Sequence, residues 1–63
     1  MKIGDWIDTP RFCKVKITEV FNTRSTAMEF GFDEPTHYKS PEYEILGKHT
    51  GINRMIFAAV KRP

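Results

Sequence analysis

Apolar and polar residues alternate along most of this chain, and the one place where alternation gives way to an unbroken apolar run is Met55 to Val60. Successive side chains of an extended segment point to opposite faces, so Met55, Phe57 and Ala59 share one face while Ile56, Ala58 and Val60 share the other. Both faces then need cover, which predicts a central strand in a small barrel or in a sheet wrapped on itself, with Phe57 as its main anchor. Just upstream, Tyr43-Glu44-Ile45-Leu46 predicts a hairpin partner, and Gly47-Lys48-His49-Thr50-Gly51 carries the glycines that a connection with positive φ requires.

The same reading extends to the first half. Cys13, Val15 and Ile17 alternate with Lys14, Lys16 and Thr18, the period of a half-buried strand. A helix would group Cys13, Ile17, Val20 and Phe21, but so dense a set of β-branched residues favours the extended form. Alternation slips at Glu19, which predicts a bulge. Before it, Lys2 to Ile7 reads as a short strand with Gly4-Asp5 as a turn or bulge inside it and Pro10 as its end; alternatively, Thr9 caps a helix that Pro10 opens. After the polar turn Asn22 to Ser25, Met28, Phe30 and Phe32 alternate with Glu29 and Gly31 as a third long strand. Asp33 to Glu42 holds two prolines and reads as the longest loop. The expectation is an all-β domain over residues 1–63, a small five-stranded antiparallel barrel or strongly bent sheet.

Length limits what such a fold can do. A chain of 63 residues buries only about 60% of its unfolded surface, so its stability is marginal and association with a second copy is compatible with its size. A hydrophobic share of 40% still supplies too much apolar surface for a disordered tail. Cys13 is the sole cysteine and cannot form an internal disulfide, which points to a reducing, cytoplasmic setting. No run approaches the roughly 18 apolar residues of a membrane span, and Met1 to Trp6 lacks the apolar core of a signal peptide. The net charge of +2 is too mild to hold a polyanion by itself.

Motifs for chemistry fail one by one. Gly47-Lys48 lacks the phosphate-loop glycine, which would fall at Glu42, and the hydroxyl residue after the lysine, where His49 stands. Cys13, His37 and His49 have no zinc-ligand spacing, and Cys13 falls in the inward phase of its strand, where a thiol behaves as a small hydrophobe. No catalytic residue, metal or cofactor is therefore expected.

Binding residues remain. His37, Tyr38, His49, Asn53 and Arg54 can form a polar recognition patch if the barrel gathers them, or the histidines can simply bond loop backbone. Lys14 and Lys16, about 6.6 to 6.8 Å apart along one strand face, can engage one phosphate backbone. With Lys61 and Arg62 they are expected to form one basic patch for nucleic acid, or else a solvated lysine face that keeps an edge strand from aggregating. Among the aromatics, Trp6 and Tyr43 are expected in the core, and Phe12 and Tyr38 are the candidates for exposure. A binding module associated with nucleic acid is the first reading. A protein-interaction or self-assembling homo-oligomeric subunit, using open edge strands, is the second, and an enzyme is the third.

Gly4-Asp5-Trp6-Ile7, followed by a connection and a basic β-branched strand, resembles the opening of small barrels of the Src-homology type and their ribosome-associated relatives. The resemblance covers the first third of the chain and implies a small barrel. Such folds host nucleic-acid binders, peptide binders and structural modules alike, so it implies no single function.

Overall fold

In a computed structural model describing residues 1–63, the chain runs β1 (Trp6–Thr9), β2 (Cys13–Phe21), α1 (Arg24–Glu29), β3 (Glu34–Lys39), β4 (Tyr43–Gly51) and β5 (Arg54–Lys61). The strands form one sheet in the order β1-β2-β5-β4-β3, curled through 235° into a half-barrel. The strongly bent all-β sheet is therefore as expected, and β5 stands at its centre. The sheet is mixed rather than wholly antiparallel: β2 and β5 run parallel, because everything from α1 to β4 intervenes before the chain returns beside β2.

Both faces of β5 are covered, as its unbroken apolar run requires. Ala58 and Val60 pack with Ala27, Phe32 and Leu46 on the outer face, while Ala59 packs with Val15, Ile17 and Ile45 inside the curl. The predicted bulge is present. Ile17 pairs with Phe57 but Glu19 with Ala58, leaving Thr18 as the extra residue, whose hydroxyl donates to the Phe57 carbonyl at 3.1 Å. The inward phase thereby shifts from Val15 and Ile17 to Val20.

Several local expectations are corrected. Residues 28–32 are not a strand. Thr23 caps α1 by accepting from the Thr26 amide, and the helix ends in a Schellman motif, with Gly31 (φ +91°) donating to Met28 and Phe32 donating to Ala27. Residues 33–42 are not a loop throughout, since β3 occupies Glu34–Lys39. Pro35 is tolerated because β3 is an edge, and the irregular step at His37 (φ +65°) is held by Thr36, whose buried hydroxyl donates to Ile45 O at 2.7 Å. The connection before β5 is Ile52-Asn53, with Asn53 at φ +57°, rather than Gly47 to Gly51. Gly47 is instead buried in β4 opposite Phe57, where a Cβ would collide with the Met55 methyl and stand 3.2 Å from the Phe57 ring.

The N-terminal strand begins at Trp6, later than expected, because Lys2 to Asp5 form a turn centred on Ile3-Gly4 ahead of it, the Asp5 amide donating to Lys2 O at 3.0 Å. Residues 9–21 contain no helix: Thr9 accepts from the Phe12 amide in a cap-like turn but donates to the Cys13 carbonyl, and the chain reverses into β2. Cys13, at φ +58° after that turn, is exposed rather than inward. Trp6 is also outside the core, 61% exposed. Tyr43, Phe12 and Tyr38 are each half-buried. Phe57 is half-buried as well, so the fully buried Ile17, Ile45 and Val60 anchor the sheet instead.

Between the two edges of the half-barrel, the turn before β2 meets β3. The Arg11 amide donates to Thr36 O at 3.2 Å, and its guanidinium donates to Pro35 O at 3.0 Å while pairing with Glu34. No helix is long and apolar enough to cross a membrane.

Candidate nucleic-acid interface

Strands β2 and β5 pair only from Ile17 and Phe57 onward. Upstream of that point, Cys13 to Lys16 ladder with β1 alone and Arg54 to Ile56 with β4 alone. Parallel strands that diverge in this way leave a groove at their open end, here about 620 Å³, within the range of small-ligand sites. Its floor is Phe12 and Phe57, whose rings lie 5.4 Å apart at 57°, together with Val15 and Met55. Trp6, Lys14 and Lys16 line one side, and His49, Asn53 and Ile56 the other.

Strand phase places the first side. Trp6 pairs with Lys16 and Asp8 with Lys14, and these four project opposite to Ile7 and Val15, which turn toward the inner cluster. Trp6 therefore stands exposed beside an ammonium group. That phase was readable, because Trp6 shares its strand face with Asp8 rather than with Ile7.

Charge distinguishes this groove from the rest of the surface. Two lysines and a histidine line it and no carboxylate does, whereas each of the other hollows includes Glu19, Glu42 or Glu44. The ion pairs of the molecule engage Arg11, Arg24 and His49, leaving Lys14 and Lys16 unpaired. At the rim, His49 Nε2 lies 3.3 Å from Glu34. The hydrogen bond from Arg11, and then that from His49, hold the Glu34 carboxyl below the usual carboxylate range.

The structure brings together only part of what the sequence suggested. Lys14, Lys16, His49 and Asn53 meet at the groove, and Arg54 follows directly after it on β5. His37 and Tyr38 lie instead on β3 beside a separate hollow with Arg24 and Glu44. Lys61 and Arg62 lie at the opposite end of β5, so the four cations do not form one patch. Arg62 there donates from its backbone to Glu42 O and from its guanidinium to Ser40 O, bracing the β3–β4 turn. Groups of three or more His, Cys, Asp or Glu placed to hold a metal ion are absent.

No family model, curated protein or solved structure matches this chain.

Proposed function

We propose that this protein binds single-stranded nucleic acid in the β2/β5 groove, without catalysis, stacking bases on Trp6 and the Phe12/Phe57 floor while Lys14 and Lys16 neutralise phosphates. The observation that carries the reading is the pairing of an exposed Trp6 with Lys16 at the mouth of a groove whose lining residues include no carboxylate, Asp8 and Glu34 standing outside it. Aromatic rings bind the faces of unpaired bases, and lysines hold the backbone without reading sequence. A duplex keeps its base faces stacked inside, so single strands are the favoured ligand. An unpaired cysteine fits a reducing, cytoplasmic setting.

Association through strand edges has less in its favour. Edge strand β3 carries Pro35, an irregular step at His37 and Lys39, features that oppose pairing with another strand, and β1 is only four residues long.

Trp6 is the sole tryptophan and reports directly on the site. Its fluorescence should be quenched by single-stranded DNA or RNA at low salt, and less by duplex. In Lys14→Glu/Lys16→Glu the response should be lost. Absence of quenching in the parent, or unchanged binding in the double variant, would put protein association first.

A further inference from the structure

Lys16 and Ile56 each precede a member of the Ile17–Phe57 pair, and Lys48 follows Gly47, the partner of Phe57 on β4. Trp6, Lys16, Ile56 and Lys48 therefore lie on one transverse row of the outer face, crossing β1, β2, β5 and β4 in turn. Beyond Ile56, which lines both the groove and its neighbour, this row enters a second hollow formed with Glu19, Phe21, Phe30, Phe32 and Lys48. Phe30 is 58% exposed, and its inner side stacks on Phe21 with centroids 5.4 Å apart at 27°. Lys48 Nζ sits 5.7 Å above the centroid of Phe32.

On the basis of the groove reading above, we propose that the second hollow is a further base-binding station of the same site: a nucleobase stacks on the exposed face of Phe30 while Lys48 engages its phosphate. A phenyl ring braced from behind and open in front can receive a base at little ordering cost. Glu19 repels phosphate, which directs the backbone to the Lys48 side and the base inward. Two paired spacings of about 4.8 Å and, between them, the wider opening of the groove from β2 to β5 separate β1 from β4, so a single strand of about four or more nucleotides spans both stations.

The test compares a dinucleotide with a six-nucleotide single strand, followed by Trp6 fluorescence, in the parent, Phe30→Ala and Phe30→Tyr, with thermal melts to confirm folding. The parent should bind the longer strand more tightly. Phe30→Ala should weaken the longer strand by about 5- to 150-fold, the loss of one stacked base, and leave the dinucleotide unchanged. Phe30→Tyr, which keeps the ring, should bind like the parent. Equal affinity of the parent for both lengths, or an undiminished response in Phe30→Ala, would overturn the second station and leave the groove intact. No quenching of Trp6 by either oligomer would remove both readings.

Discussion

Arg11 and Glu34 form an ion pair across the open seam of the half-barrel, tying the β1–β2 turn to edge strand β3. The same guanidinium lies 5.0 Å from the centroid of Phe12, which in turn packs on Phe57 in the groove floor. Seam and groove are thus one connected structure. Arg11→Met should loosen the seam: amides of β1 and β3 should exchange faster in hydrogen-exchange measurements, while those of β5 keep their protection. Uniform protection across all strands would show that the seam carries no local stability.

Acid should act on that seam through Glu34. Its carboxyl ionises more readily in the fold than in the open chain, because Arg11 and then His49 bond its charged form. Such a group stabilises the fold above its open-chain value, 4.5, and the contribution fades as pH drops through the lower folded value. The parent should therefore lose stability below about pH 4.5 more steeply than Glu34→Gln in thermal melts across pH. Parallel curves would mean that the carboxylate contributes nothing.

Burial ranks two core substitutions. Ile17 is fully enclosed, and Ile17→Ala should cost about 2 to 5 kcal/mol. Phe57 is half-buried at the groove floor, so Phe57→Ala should cost less, about half of the 3 to 5 kcal/mol of a fully buried ring, and should also weaken oligonucleotide binding. Urea unfolding of the two variants gives the order, and the reverse order would mean that the groove floor, not the inner cluster, is the anchor.

Two glycines with positive φ separate backbone strain from crowding. Gly4 (φ +96°) has open space where a Cβ would stand, whereas at Gly31 (φ +91°) a Cβ would come within 3.1 Å of Lys48 Cε. Gly4→Ala should cost about 1 to 2 kcal/mol from backbone strain alone. Gly31→Ala should cost more and should displace Lys48, so its extra effect should include weaker binding of the longer oligonucleotide. Equal costs and unchanged binding would show that Lys48 moves aside freely.

Salt dependence counts the lysines in contact with phosphate. On the proposed contacts, Lys14 and Lys16 alone should give a log-log slope of about −1.4 on single strands, and Lys48 should bring it to about −2.1. Lys48→Gln should return the slope of a six-nucleotide strand to the shallower value. A slope that does not change would place Lys48 away from the backbone.

The sequence made β2 and β5 legible because their alternation or continuous apolar run reflects burial directly, and even the slip at Glu19 marked a real bulge. The helix at 24–29 was hidden by a coincidence of period. Met28, Phe30 and Phe32 alternate as a strand would, but they belong to a helix end and the turn beyond it. Thr23 and Gly31, a cap and a left-handed terminator eight positions apart, were the contrary signal. Edge strand β3 was obscured because Pro35 and the irregular His37 step suit an edge as well as a loop. At the groove, the shared outward face of Lys14 and Lys16 was legible from period two. The groove itself was not, because it comes from two strands separating in space, which no local pattern encodes.

The central position of β5 bears on the order in which the molecule can assemble. Its neighbour β2 lies 40 positions earlier where Ile17 meets Phe57, so the N-terminal hairpin has no sheet to join until the last strand is in place. Closing so long a loop comes after the local β4–β5 hairpin has formed, since distant pairings cost more chain entropy than near ones. On a growing polypeptide β1 and β2 therefore wait with Val15 and Ile17 uncovered. The two sides of the groove, one from β1 and β2 and the other from the β4–β5 hairpin, are brought together only at that last step.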